Sequence, residues 1–188
     1  MSDTPEYDFV VFDTNTGEIA YTGTNPNWQI HPLDVGQDII QGVGDSRIQK
    51  VVDGVVVDKT EAEKAPHLNF ERKRIIFDEQ TNRTRAGFTY NGKLYDFDVT
   101  SQGRIDGAAT LANSAIMGGA QAGDLRWHGG ASDFMWITAD NSFVSMDAQT
   151  MLSMGQTAAE HVRAHIFAAR TLKDDPTITD VTADIHWP

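Results

Sequence analysis

Short runs of apolar residues, separated by turn-forming residues, occupy the first part of the chain. Residues 8–13 (Asp-Phe-Val-Val-Phe-Asp) and residues 18–22 (Glu-Ile-Ala-Tyr-Thr) flank the sequence Thr-Asn-Thr-Gly. Two β-prone runs on either side of such a turn predict a hairpin. A further short strand is expected around Ile39-Ile40, within a stretch that glycine and proline otherwise make irregular.

A second hairpin is indicated by its turn. Residues 49–52 and 55–58 flank Asp53-Gly54, a dipeptide favoured where both central residues of a two-residue turn need positive φ. We therefore interpret residues 1–60 as a small antiparallel β module. Residues 61–68 are polar and contain a proline, so we interpret them as a linker to a second domain.

Residues 69–188 have the pattern of a mainly helical domain that contains two hairpins. A helix is expected to begin after Asn69, a suitable N-cap residue. The first hairpin, at residues 88–98, has an Asn-Gly turn between aromatic and β-prone residues. The second, at residues 134–145, joins Phe-Met-Trp-Ile-Thr to Ser-Phe-Val-Ser. The predicted fold class is α+β.

Two amphipathic helices alternate with these hairpins. Ser101 is the expected cap of the first, whose small apolar face recurs at helical spacing through residues 105–116. Asp147 is the expected cap of the second, which carries an apolar stripe through residues 151–172. Residues 118–133 are rich in glycine and are expected to form a mobile loop. The two apolar faces are available either to each other or to a second copy of the chain.

Composition narrows the range of partners. The net charge of −12 makes the chain a poor ligand for nucleic acid and for anionic membrane surfaces, so neither is an expected partner. The chain has no cysteine, which excludes disulfides, thiol catalysis and thiolate metal sites. We find neither a signal-peptide pattern nor an apolar run long enough to span a membrane.

Two groups of residues could bind a metal. His161 and His165 lie four positions apart on one helix face, as in zinc hydrolases, but Val162 stands where such an enzyme has its glutamate base. Asp13 and Glu18 lie in one turn with asparagine and glycine, but their spacing does not match a calcium loop. Packed or solvated helix residues and an Asx turn explain these groups better. We therefore predict no catalytic, cofactor-binding or metal-binding residues.

One basic cluster stands out in this acidic chain. It comprises Glu71-Arg72-Lys73-Arg74 with Arg83 and Arg85. Such a cluster could face an acidic partner. A solvated helix face is the alternative interpretation.

The second half of the chain has a recognisable order of segments. Gly87–Asp98 leads into Ser101–Ile105 and an alanine-rich helix, and Trp136–Val144 leads into a long helix containing His161–Arg170. This ordered set, over residues 69–188, resembles a family of unknown function that is widespread in tailed phages and prophages, often in tail or tail-fibre contexts. Its members carry no established activity, so the resemblance implies no catalytic residues.

The N-terminal half also resembles a phage module. The segments Phe9–Gly17, Tyr21–Gly23 and Val51–Val55 are similar to a short β module that often precedes this domain. The resemblance implies a non-enzymatic structural or adaptor protein of the virion tail or tail fibre, assembled in the cytoplasm of the bacterial host. Other tail or fibre proteins are the implied partners, with a homo-oligomer, preferably a trimer, and contact with the host surface at most indirect.

Two other functions fit the sequence less directly. A fibre-assembly factor or chaperone that leaves the finished virion would have much the same composition. A glycan depolymerase would be expected to rest on a long repetitive β-helix, and the chain of 188 residues has no internal repeat.

Overall fold

A computed structural model describes residues 5–188 of the protein. The chain divides into two compact units, Met1–Glu71 and Arg72–Pro188, with the division inside the first α-helix. The N-terminal unit is built of short antiparallel strands, and the C-terminal unit contains helices and β-hairpins. This confirms the predicted α+β fold class.

The N-terminal unit contains a three-stranded antiparallel sheet in the order β2-β1-β3. Its strands are β1 (Asp8–Asp13), β2 (Ile19–Thr24) and β3 (Gln37–Gln41). Val10 of β1 and Ile19 of β2 are buried together with Val51. The hairpin and the short strand at Ile39-Ile40 are therefore confirmed.

A two-stranded hairpin completes this unit. It pairs β4 (Gln49–Val52) with β5 (Val55–Asp58). Asp53 and Gly54 have φ of 50° and 75°, as the Asp-Gly turn predicted. The N–H of Val51 donates to the C=O of Gly17 at 2.8 Å, which ties this hairpin to the first turn of the chain.

The first helix, α1 (Glu61–Arg85), begins earlier than predicted. Residues 61–68, interpreted as a linker, are its first two turns. The start is a capping box: the Thr60 hydroxyl accepts from the Glu63 N–H at 3.3 Å, and a Glu63 carboxylate oxygen accepts from the Thr60 N–H at 2.8 Å. The helix also continues through Pro66, although proline removes one helical hydrogen bond.

In the C-terminal unit, the first hairpin pairs β6 (Phe88–Tyr90) with β7 (Lys93–Tyr95). Asn91 and Gly92 take positive φ at the turn, so the hairpin is confirmed, although its strands end before residue 96. The second hairpin pairs β8 (Met135–Ile137) with β9 (Phe143–Ser145), also as predicted.

Two helices pack against each other beside these hairpins. They are α2 (Val99–Met117) and α3 (Ala148–Asp174). Asp147 caps α3 as predicted, but α2 is capped by Asp98 and not by Ser101. An oxygen of Asp98 accepts from the N–H groups of Thr100 and Ser101 at 2.7 and 3.1 Å.

The predicted apolar faces of α2 and α3 are in part buried against each other, although Ile166 of α3 stays exposed. Ile105 and Ala112 of α2 share one buried cluster with Met151 and Ala158 of α3. The close approach depends on Gly155, where an added Cβ would lie 2.5 Å from the Cβ of Ala109. These faces therefore stabilise the fold of a single chain.

The glycine-rich segment 118–133 is a loop, as we predicted, but it is anchored to the core. Trp127 inserts into the core, where it is 8 % exposed and its indole N–H donates to the C=O of Met146 at 2.9 Å. The Gly123 N–H donates to the Asp147 carboxylate at 2.7 Å. Glycine permits the turns of this segment, and the tryptophan anchors it.

The end of the chain packs on α1 and α3. Trp187 is buried with Ile76, Leu172 and Val181, whereas Ile185 is 87 % exposed. Between residues 5 and 188, no helix has the length and apolarity needed to cross a bilayer.

Candidate functional site

The outer face of the β8–β9 hairpin carries three large apolar side chains beside the small polar Ser145. Ile137 and Phe143 are directly opposite each other, and Met135 lies two residues from Ile137, so the three side chains share one face. Their exposed fractions are 53 %, 67 % and 50 % in the same order. We call these three residues the hairpin face. Large apolar side chains grouped in this way are typical of interaction surfaces.

The opposite face of the same hairpin is also apolar. Trp136 and Val144 pair with each other across the strands and pack against the buried cluster of the C-terminal unit. A two-stranded sheet with one solvated face usually alternates apolar and polar residues. Continuous apolar residues are instead typical of strands covered on both faces, so the hairpin face has the composition of a covered surface.

Leu94 of β7 adds a fourth exposed apolar side chain near the hairpin. The N–H of Ala139, in the β8–β9 turn, donates to the C=O of Leu94 at 2.9 Å. The Leu94 side chain is half exposed. The two hairpins of this unit are therefore joined by a backbone hydrogen bond, and each contributes apolar surface.

A groove of about 360 Å³ adjoins the hairpin face. Its lining residues are Asp96, Ser101, Arg104, Met135, Trp136 and Ile137. Neither Asp96 nor Arg104 makes a hydrogen bond or ion pair with any residue between 5 and 188. Arg104 does contribute electrostatically to a lowered pKa of Asp98, although hydrogen bonds from Ser101 and Thr100 are the larger causes. This groove thus presents one carboxylate and one guanidinium that remain available.

A second groove, of about 370 Å³, lies at the turn end of the hairpin. It also contains one cation and one anion, Lys93 and Asp140. Hydrogen bonds from the Thr138 hydroxyl and from the backbone and side chain of Ser142 lower the pKa of Asp140, so it is ionised at neutral pH. The Lys93 ammonium lies 3.4 Å from the Ser142 hydroxyl. The charges that line the two grooves therefore cancel in pairs.

His165 is buried in the C-terminal unit, and His161 is half-buried beside it. The His161 Nε2–H donates to the Thr84 C=O at 3.0 Å, and the His165 Nδ1–H donates to the His161 C=O at 2.8 Å. A carbonyl oxygen only accepts, so each of these ring nitrogens carries its proton. The rings are 4.4 Å apart, and burial lowers the pKa of His161. The pair forms a packed helix contact.

The acidic turn near the N-terminus is an Asx turn. One oxygen of Asp13 accepts from the N–H groups of Asn15 and Thr16 and from the Thr16 hydroxyl, at 2.8–3.0 Å. These hydrogen bonds lower the pKa of Asp13. Glu18 points to a different partner, with its carboxylate 2.6 Å from the Lys59 ammonium. The structure therefore does not bring Asp13 and Glu18 together around a common ligand.

The basic cluster is divided among several intramolecular partners. Arg72 binds backbone carbonyls at the end of α3. Arg74 pairs with Asp78, and Arg83 pairs with Glu79 and Asp184. Over the part of the chain that the structure describes, no group of three His, Cys, Asp or Glu side chains is arranged to hold a metal ion.

The family of the chain follows from its C-terminal part. Residues 69–186, which include all three helices in part or whole and the two hairpins of the C-terminal unit, match the family described as Domain of unknown function (DUF4376). The chain belongs to the DUF4376 family. No match was found among curated proteins or among solved structures. The predicted membership of a family of unknown function over residues 69–188 is thus confirmed, and its phage context stays a prediction.

The hairpin face of this DUF4376 domain was not predicted from the sequence. Two β-prone runs predict the strands, but the run Phe134-Met-Trp-Ile137 does not alternate, because every residue in it is apolar. That continuity was the available signal for a strand with two covered faces. The grooves had no such signal, since Asp96 and Arg104 are distant in sequence from the Met135 and Ile137 side chains that line the same groove.

Proposed function

We propose that this DUF4376 protein is a structural or adaptor component of a tailed bacteriophage, in the tail or tail-fibre region, and that it works through protein–protein contacts and not as an enzyme. The observation that supports this proposal best is the hairpin face. Three large apolar side chains lie at half exposure or more on a hairpin whose other face is already packed. A partner surface that covers them would remove this apolar area from water.

The N-terminal unit would supply a separate attachment surface. Its loop between β2 and β3 carries Ile30 at 81 % exposure, and Val35 is fully exposed. Residues of this kind on a loop are suited to insertion into a pocket of a neighbouring protein. In this proposal residues 1–60 attach the chain to another tail protein, and residues 69–188 bind further copies or a fibre.

The placement in a phage is supported by the ordered segments of residues 69–188 and by the similarity of the N-terminal strands to a phage module. The proposed location is the virion tail, reached after assembly in the cytoplasm of the host. The proposed partners are other tail or fibre proteins, with a homo-oligomer, preferably a trimer, and indirect contact with the host surface. Nucleic acid and membrane are not proposed as partners, because the net charge is −12.

Quantitative mass spectrometry of purified particles tests this function. The experiment compares density-purified virions with the soluble fraction of the same lysate, and uses the tail-tube protein as the internal standard. We expect the chain in virions, at a copy number that is a multiple of three if the trimer is right. Abundance in the lysate with absence from virions would overturn the structural role and favour an assembly factor or chaperone.

A further inference from the structure

We infer that the hairpin face, with the groove of Asp96 and Arg104 beside it, is the surface through which copies of this chain bind one another. The inference rests on the proposed function, since it assigns the self-association in that proposal to named residues. Much of the apolar surface of the two long helices is already used within the chain, because α2 and α3 share one buried cluster, although Ile166 of α3 remains exposed.

The apolar part of this surface supplies the centre of the contact. Met135, Ile137 and Phe143 form one continuous face, and Leu94 stands at the adjoining hairpin. Phenylalanine and methionine are enriched at protein interfaces. If the same face of two copies met, all of these apolar side chains would be removed from water together.

The charges beside the hairpin favour a second copy over a foreign partner. The chain as a whole is acidic, with 27 Asp and Glu against 15 Lys and Arg, so most pairs of surfaces on two copies repel. The two grooves that flank the hairpin each contain one cation and one anion, Asp96 with Arg104 and Lys93 with Asp140. A surface whose charges cancel in this way is complementary to itself when it is turned about a symmetry axis. A strongly charged partner would instead require an excess of the opposite charge on this surface.

The unpaired state of Asp96 and Arg104 fits the same contact. Neither side chain has a hydrogen bond or ion pair with the described part of its own chain. In the symmetric assembly, Arg104 of one copy meets Asp96 of the neighbouring copy, and the contact is repeated around the axis. Each copy therefore completes the polar rim of the other.

Sedimentation velocity of the full chain over a range of micromolar concentrations tests the apolar part. We expect the wild type to sediment as an oligomer and Phe143→Lys to shift toward the 20.7 kDa monomer. Ile185→Lys is the matched control, because Ile185 is exposed on the C-terminal segment, away from the hairpin in sequence. It adds the same charge, and it should leave the oligomer intact. Circular dichroism and thermal unfolding establish that each variant is folded.

A charge exchange tests the polar part. Asp96→Arg and Arg104→Asp should each weaken the oligomer by roughly tenfold or more in dissociation constant, since each places like charges opposite one another. The double variant Asp96→Arg/Arg104→Asp should recover most of the wild-type affinity. Wild-type chain that remains monomeric, or a folded Phe143→Lys variant that associates like the wild type, would overturn the inference. Either result would leave open whether the chain is present in virions, which the particle measurement decides separately.

Discussion

At the scale of single residues, Arg72 makes three hydrogen bonds to backbone carbonyls of the C-terminal unit. Its guanidinium donates to the carbonyls of Leu172, Asp175 and Ile178 at 2.7, 2.9 and 2.6 Å. Two of these carbonyls belong to the end of α3 and the residue after it, where the helix dipole places negative charge. One side chain of α1 therefore holds the last turn of α3 and the segment that follows.

We predict that Arg72→Ala lowers the free energy of unfolding by about 2–3 kcal/mol, because the variant leaves partly buried carbonyls without their charged donor. Arg170→Ala is the control. Arg170 pairs with Asp174 on the exposed side of α3, with side-chain exposures of 72 % and 54 %, and its loss should change stability by less than about 1 kcal/mol. Urea unfolding measures both. Equal losses in the two variants would contradict the role of Arg72.

The half-buried His161 predicts a dependence of stability on pH. Burial lowers its pKa in the folded chain, so below about pH 6.5 the unfolded chain binds more protons than the folded chain. The part of the free energy of unfolding that is linked to His161 is fully present above the pKa that this residue has in the unfolded chain. It is lost as the pH falls from about 6.5 toward the lower pKa of the folded chain. Protonation of His161 would also place a charge beside His165, whose ring is 4.4 Å away.

The variant His161→Gln separates this effect from other titrations, because glutamine can still donate to the Thr84 carbonyl but does not titrate. We expect the wild type to lose more stability than His161→Gln between pH 7.5 and pH 5.5. Unfolding curves at both pH values measure the difference. Parallel losses in the two proteins would show that His161 does not cause the dependence.

At the scale of elements, the contact between α2 and α3 depends on the absence of side chains at particular glycines. Gly155 of α3 lies against Ala109 of α2, whereas nothing lies within 4 Å of the position that a Cβ would take at Gly107. Both residues are inside helices, where alanine is intrinsically better than glycine by about 1 kcal/mol. The same substitution should therefore have opposite effects at the two positions.

We predict that Gly155→Ala destabilises the protein by about 1–2 kcal/mol, because overpacking between the helices exceeds the gain in helix propensity. Gly107→Ala should stabilise it by about 0.5–1 kcal/mol. Thermal unfolding of the two variants and the wild type shows whether each substitution raises or lowers the stability. A stabilising Gly155→Ala would mean that α2 and α3 are less closely packed than the structure shows.

The elements could be predicted from the sequence where the signal was local. The dipeptides Asp53-Gly54 and Asn91-Gly92 fix their hairpins, since few other residues accept positive φ at both turn positions. The start of α1 was not predicted, although Thr60 and Glu63 have the spacing of a capping box, because a polar segment that contains a proline is also typical of a linker. The loop 118–133 was predicted, but its anchoring was not, because the Trp127 indole donates to the C=O of Met146, which is distant in the sequence.

At the scale of the whole molecule, the sequence showed several apolar surfaces but not which of them would bury each other. The faces at residues 105–116 and 151–172 were equally suited to contacts within one chain and between chains. The structure buries much of both faces in the core and leaves Ile166 on the surface, together with Met135, Ile137 and Phe143 of the hairpin. Such a choice depends on the packing of distant segments, which periodicity does not contain.

The central claim, a structural role in a phage tail, is tested most directly by electron microscopy of intact particles labelled with gold-conjugated antibodies. Polyclonal antibodies raised against the whole chain present many epitopes, and particles from a deletion strain complemented with an unrelated tail protein serve as the background. The account predicts gold at the tail or its fibres, with unlabelled heads. Gold on the heads, or unlabelled particles from a lysate in which the same antibodies detect the chain, would contradict it.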